Sequence, residues 1–326
     1  MVTILGPTAS GKTRVAAALA ASYIADGQQA EIVSADSRQL YRRMDIGTGK
    51  DLSDYQVGDI RVPLHLTDTQ EPGTRYDLYQ YQRDATAAIA DIRRRGALPI
   101  LCGGTGLYLE AVLKGYALSP VPQNPELRKQ LEGRTLEELT AMLEELKRQN
   151  AATMHNTTDV DSAQRAIRAI EIEAYNRDHP VERRRMEAHP SLVIGIDIGR
   201  EERRRKISER LDARLKQGLV EEVKALLDEG IAPDDLLYYG LEYRHVTEYV
   251  LGRTTYQQMH DSLEVAIHQF AKRQMTWFRG MERRGTAIHW IAAAMPIGQK
   301  VEHIKHLYEQ RGGNAPKPQR HRKPWP

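Results

Sequence analysis

Gly6-Pro-Thr-Ala-Ser-Gly11-Lys12-Thr13 matches G-x-x-x-x-G-K-[ST] and stands between an apolar run, Val2 to Leu5, and a helical pattern opening at Lys12. A strand handed over to a helix through such a loop constrains the fold more than any other feature of the chain. Small residues let backbone N–H groups wrap a phosphate, the helix N-terminus adds favourable potential, and Lys12 reaches the anion. Gly6, Pro7, Thr8, Ala9, Ser10, Gly11, Lys12 and Thr13 are therefore the candidate diphosphate or nucleotide cradle, and the Thr13 hydroxyl is the candidate Mg²⁺ ligand.

The surrounding pattern agrees with that loop. Glu31 to Ala35 and Leu98 to Cys102 read as buried strands, Lys12 to Tyr23 and Asp77 to Arg95 as helices, and Ile60 to Leu66 as a strand exposed on one side. The alternation fixes the class as α/β, a P-loop NTPase-like parallel sheet flanked by helices. After the proline-punctuated stretch at Pro120, Pro122 and Pro125 the pattern turns purely helical, with Thr135 and Glu138 at capping-box spacing and Asp161 positioned to cap a second helix. Ser191 to Ile198 returns as a strand, which makes 116–191 an inserted helical subdomain within a core of 1–115 and 192–311. The core's C-terminal part, from Glu201, reads as helices with turns at Gly230, Gly252 and Gly285, and 312–326 as a disordered basic tail.

With 40% hydrophobic and 28% charged residues over 326 positions, the chain is neither collagen-like nor disulfide-stapled nor wholly disordered. A single cysteine, Cys102, excludes an internal disulfide and a structural zinc module. No stretch approaches the roughly 18 apolar residues of a membrane span, and Met1 leads into Val-Thr-Ile-Leu-Gly without a signal-peptide pattern, so a cytoplasmic protein without membrane partners is expected. Residues 263–326 carry twelve Lys/Arg against four Glu, a local +8 in a chain whose total is +3. An excess of that kind at one end suits a polyanion. Lys272, Arg279 and Arg283 share one helical face, with Leu263, Ile267, Phe270 and Phe278 expected to pack inward, and Arg165 and Arg168 form a second stripe; Trp277 is expected to pack.

A standard NTPase holds its metal with a carboxylate at the end of a second apolar strand, yet 98–102 ends in Gly103-Gly104-Thr105, and Asp68 is only a weak substitute. The loop is thus expected to hold the diphosphate of a substrate rather than to split a triphosphate. Asp36, at the carboxyl end of the second strand, is placed where open parallel sheets bind ligands and is the candidate general base. The glycine-bearing segment Asp45 to Lys50 follows as a loop able to close over the site.

G-P-T-A-S-G-K-T at 6–13, A-D-S-R-Q-L-Y at 35–41, M-D-I-G-T-G-K at 44–50, G-G-T-G-L-Y at 103–108, Q-R-A-I-R-A-I-E at 164–171 and A-K-R-Q-M-T-W-F-R at 271–279 together resemble the tRNA dimethylallyltransferases, also called tRNA isopentenyltransferases. The resemblance implies transfer of a dimethylallyl group from dimethylallyl diphosphate to N6 of the adenosine 3′ of the anticodon, with Mg²⁺ as cofactor, tRNA as partner and a monomer as the working unit. It further implies Asp36, Thr13 and Arg210 as catalytic residues, Arg210 steadying the leaving diphosphate. It makes Asp36, Ser37, Arg38, Gln39, Thr105, Arg128, Gln164, Arg165, Ala166, Ile167 and Arg168 tRNA-binding. Gly49 replaces the family's usual Ala before Lys50, and Tyr239 to Arg244 matches a family stretch only roughly. The rivals are an adenylate prenyltransferase, a P-loop small-molecule kinase and an NTP-dependent RNA-binding protein. None of the three accounts for the catalytic motifs and the basic stripes together.

Overall fold

Apolar runs without alternation make strands buried on both faces, and the chain builds its larger unit on them. The computed structural model describes residues 1–118, 120–150, 160–179 and 186–312. Two compact units result, one from residues 1–116 with the chain from 187 onward, the other from residues 117–186. The basic tail read at 312–326 lies, from 313 on, outside the described residues.

In the larger unit, β1 (Val2–Leu5), β2 (Ala30–Ser34), β3 (Gln56–Val57), β4 (Ile60–Arg61), β5 (Leu64–His65), β6 (Leu98–Gly103), β7 (Leu192–Asp197) and β8 (Ile288–Ala292) form a six-stranded sheet in the order β5-β2-β6-β1-β7-β8 and a separate β3-β4 pair. Every pairing in the six-stranded sheet is parallel. Its helices are α1 (Lys12–Ala25), α2 (Leu78–Arg94) and α3 (Gly106–Lys114). The smaller unit holds α4 (Pro125–Leu131), α5 (Leu136–Gln149) and α6 (Ala163–Asp178). The larger unit then resumes with α7 (Arg200–Lys216), α8 (Leu219–Asp228), α9 (Pro233–Tyr238), α10 (Leu241–Val250), α11 (Tyr256–Arg283) and α12 (Ile297–Gln310). Among the described residues no helix is long and apolar enough to cross a membrane.

Successive strand residues point to opposite faces, and the core divides accordingly. Leu5, Val33, Leu101 and Val193 pack with α2, α3 and the layer from α7 to α11; Ile4, Ile32, Ile100 and Ile194 pack with α1 and α12. The smaller unit has its own core of Leu131, Leu139, Leu143, Ala166, Ala169 and Ile170, and α5 is closed by the Thr135–Glu138 capping box.

Four expectations change. The stretch 60–66 is not one strand: β4 turns back on β3 around Gly58 (φ 57°), β5 joins β2, and Pro63 between them has no N–H for a ladder. The region after Glu201 is not wholly helical, because β8 pairs with β7 from Val193–Ile288 to Asp197–Ala292; five residues, three of them half-buried, are too short to show a period. Helix α6 is capped by the Ser162 hydroxyl rather than Asp161, which pairs instead with the Arg165 guanidinium. Phe270 is 39% exposed instead of packed inward, whereas Leu263, Ile267 and Phe278 are buried.

Parallel strands bring the segments after β1, β2 and β6 to one edge of the sheet. There the backbones touch: Ala35 N donates to Cys102 O at 2.7 Å, Thr105 N donates to Ala35 O at 3.2 Å, and a Cβ on Gly103 would stand 2.1 Å from Ala35 O. The obstacle is backbone in the middle of the core, so Gly103→Ala should destabilise the fold by about 1–3 kcal/mol or more. Urea denaturation followed by circular dichroism measures that loss, and an unchanged midpoint would show that the strand ends separate freely.

Candidate active site

The loop between β1 and α1 is wound tightly enough to need two residues at positive φ, Ala9 at 62° and Gly11 at 81°. Ser10 N donates to Pro7 O, and Thr8 N donates to Oε1 of Gln274, a buried residue of α11 whose Nε2 donates to Gly104 O. Gln274 thus ties the loop to the end of β6, a role that no local pattern announces. Unlike α2, α5 and α11, helix α1 has no side chain capping its first turn, and it carries no acidic residue there, which leaves its amides open to an anion. Ser10 Oγ is buried without a hydrogen-bond partner among the described residues.

Lys12 follows on the same turn, half-buried. Burial holds its ammonium below the ordinary lysine pKa; Arg210 and Arg214 add to the effect, and Asp36 opposes it. Asp36 stands just past β2, where Oδ1 accepts from Arg38 N at 3.0 Å and Oδ2 has no hydrogen-bond partner among the described residues. Next to it Ser37 N donates to Thr105 Oγ1 at 3.1 Å, so the end of β2 and the start of α3 are stitched together. Gln39 Nε2 donates to Gly49 O, and Arg38 lies near the Tyr238 ring with its stem against Gly240. Cys102 is also at this edge, but burial pushes its thiol up to about 12, which removes it as a nucleophile.

The segment 44–50 is pinned rather than poised to close. Glu222 of α8 accepts from the N–H groups of Asp45, Ile46 and Gly47 and from the Tyr243 hydroxyl. The Lys50 ammonium is buried and donates to Tyr41 O, Asp45 and Asp68. Asp68 thus spends one carboxylate oxygen on Lys50. Arg210 donates to Gly49 O at 3.3 Å and Arg214 to Gly47 O at 3.4 Å and Glu242 at 3.1 Å. Burial, then Arg214, lowers the Arg210 guanidinium to about 10. Glu242 and Tyr243, in the stretch that matches the family only roughly, therefore support the site wall.

No group of three or more His, Cys, Asp and Glu side chains able to hold a metal exists among the described residues. Mg²⁺ keeps waters and takes phosphate oxygens together with one or two protein oxygens. Thr13 on the first turn of α1, in a loop that also leaves the buried Ser10 hydroxyl without a partner, fits that need.

In the smaller unit, Arg128 donates to Glu171 through Nε at 2.6 Å and Nη2 at 2.8 Å, and Arg168 donates to Glu171 at 3.0 Å and to Val121 O at 2.8 Å. Glu171 itself is fully buried, whereas both arginines keep an exposed side. Gln164 and Arg165 are exposed, Ile167 is half-buried, and Ala166 is wholly inside that unit's core, so its side chain presents no surface. On α11 of the larger unit Lys272, Arg279 and Arg283 are exposed, and Trp277 packs so closely that a Cβ on Gly106 would stand 2.1 Å from its ring.

The sequence model of the IPP transferase family matches residues 39–281. The chain is 57% identical over 305 residues, 94% of its own length and 96% of the other's, to a tRNA dimethylallyltransferase of Bacteroides fragilis. To a tRNA dimethylallyltransferase of Porphyromonas gingivalis it is 56% identical over 312 residues, 96% of this chain and 100% of that one. Its fold matches the crystal structure of the full-length tRNA isopentenylpyrophosphate transferase of Bacillus halodurans with a TM-score of 0.68 at 30% identity, covering 98% of this chain and 99% of that one. With a family match over most of its length and relatives of this identity, the chain belongs to the IPP transferase family.

Proposed function

We propose that the chain transfers a dimethylallyl group from dimethylallyl diphosphate to N6 of the adenosine 3′ of the anticodon in tRNA, releasing diphosphate. One observation carries the reading: an Asp36 carboxylate with a free oxygen shares one sheet edge with a phosphate loop and a set of cations that oppose its charge. The allylic C–O bond breaks with its electron pair leaving on the diphosphate, and Lys12, the α1 amides and Arg210 face the charge that develops there. The N6 lone pair is delocalised into the purine, so the amine attacks well only if its proton departs as the N–C bond forms; Asp36 Oδ2 takes that proton. Mg²⁺, held by Thr13 together with diphosphate oxygens, would supply further charge neutralisation to the leaving group.

The target base must leave its stack to reach Asp36, at a few kcal/mol. The exposed basic stripe on α11 and the partly exposed Arg128 and Arg168 are the surfaces we assign to the tRNA backbone, with Thr105 and Ser37 to Gln39 lining the base pocket.

Asp36→Asn keeps the Arg38 N–H contact but loses the base. Product formation, followed by mass spectrometry of digested tRNA, should fall by about 10²–10⁴-fold while tRNA affinity in a filter-binding assay stays within a few-fold. A parallel loss of affinity would make Asp36 an anchor instead of a base. EDTA should stop the reaction and Mg²⁺ restore it, and Thr13→Val should raise the Mg²⁺ concentration needed for half-maximal rate; a variant with an unshifted Mg²⁺ curve would release Thr13 from the metal. AMP in place of tRNA should give no product, and a prenylated AMP would move the acceptor to the free nucleotide.

A further inference from the structure

Arg214 lies four residues beyond Arg210 on α7, so both side chains leave the same face of the helix. They converge on Gly49. A Cβ built there would stand 1.6 Å from Arg214 Nη2 and 2.1 Å from Arg210 Nη2, so the two nitrogens are at most 3.7 Å apart. Gly49 also has φ 63°, a conformation that side chains rarely adopt. The position therefore needs glycine twice, for its backbone and for the space two guanidiniums occupy.

Like charges at that separation need an answer, and among the described residues a single acid is hydrogen-bonded to the pair. Glu242 accepts from Arg214, but the other hydrogen bonds of the pair go to the neutral carbonyls of Gly47 and Gly49. Lys12 adds a third cation within electrostatic reach; Asp36 opposes it, and Glu242, Asp36 and Asp54 oppose the charge of Arg210 through space. Arg214 is nine-tenths buried, too far inside to be an ordinary solvated side chain. Two guanidinium forks side by side match an anion with many oxygens and more than one charge.

We propose that Arg214 is a second guanidinium of the diphosphate site, admitted there by the missing side chain of Gly49 and oriented by Glu242, and that it sets the preference for a diphosphate over a single phosphate. The proposal rests on the reading that the loop binds diphosphate. It gives Gly49 a purpose, since the residue lets two arginines close on the loop.

The test is calorimetric titration of the full chain, in Mg²⁺, with inorganic pyrophosphate and with orthophosphate. Arg214→Gln should weaken pyrophosphate by about tenfold or more and orthophosphate distinctly less, and Arg214→Lys should recover part of the loss. Gly49→Ala should weaken pyrophosphate at least as much as Arg214→Gln, because the new methyl displaces Nη2 of both arginines, and the loss in the double variant should fall short of the sum of the two single losses. Wild-type protein that ignores pyrophosphate would sink the diphosphate reading itself. Wild-type protein that binds it, beside a folded Arg214→Gln or Arg214→Lys variant that binds it equally well, would overturn only the role of Arg214. Fully additive losses for Gly49→Ala and Arg214→Gln would overturn the link between the two positions.

Discussion

Positive charge crowded against one edge of the sheet is what the rest of the larger unit has to hold in place. Lys12, Arg210 and Arg214 crowd that edge: both arginines help hold the Lys12 ammonium low, and Arg214 does the same to Arg210. Such a cluster would spread apart unless its supports were stiffer than its repulsion. The supports are backbone and buried side chains: β1, β2 and β6 end in direct contact, Gln274 bridges the loop to Gly104, and Glu222 closes on three successive amides of 45–47. The carboxylate of Glu222 has a second effect. By occupying those amides it leaves the carbonyls of Gly47 and Gly49 to accept from Arg214 and Arg210, so the segment steers the cations without binding the anion itself.

The difference between a moving lid and a fixed wall turns on Lys50. A lysine in a polar, glycine-rich stretch reads as solvated, yet its ammonium is buried with three oxygen partners. Any opening of 44–50 would have to break these contacts of an enclosed ammonium before water could replace them. The charge cluster and the wall therefore belong together, since a flexible segment could not keep Gly49 against two arginines.

What the sequence showed clearly was whatever depends on neighbours in the chain. The phosphate loop, the buried strands, the capping box at Thr135 and the position of Asp36 all follow from local spacing. Contacts between distant segments were not legible. Gln274 lies 266 residues from Thr8, Glu222 177 from Asp45, and Arg214 is related to Gly49 only through the fold. The same limit explains β8, whose identity as a strand comes from its register with β7, and Phe270, whose exposure depends on what α11 packs against rather than on its place in the heptad. Asp161 and Ser162 differ by a single position, and there the outcome was set by Arg165, which took the carboxylate and left the hydroxyl to the helix.

Arg128 and Arg168 show how a structural ion pair and a nucleic-acid contact can be the same residue. Glu171 is fully buried and, against the upward push of burial, hydrogen bonds from Arg128, the Asn124 amide and Arg168 hold its carboxyl low. Pulling either arginine away would strand that charge, so neither is free to swing toward a phosphate. A guanidinium has five N–H donors, however, and Arg128 spends Nε and one Nη2 hydrogen on Glu171 while keeping an exposed side. The remaining donors are fixed in direction by the buried acid. On the proposed reading the smaller unit meets the RNA backbone with arginines whose conformational entropy has already been lost in folding, and Glu171, which touches no RNA, is what makes their geometry definite.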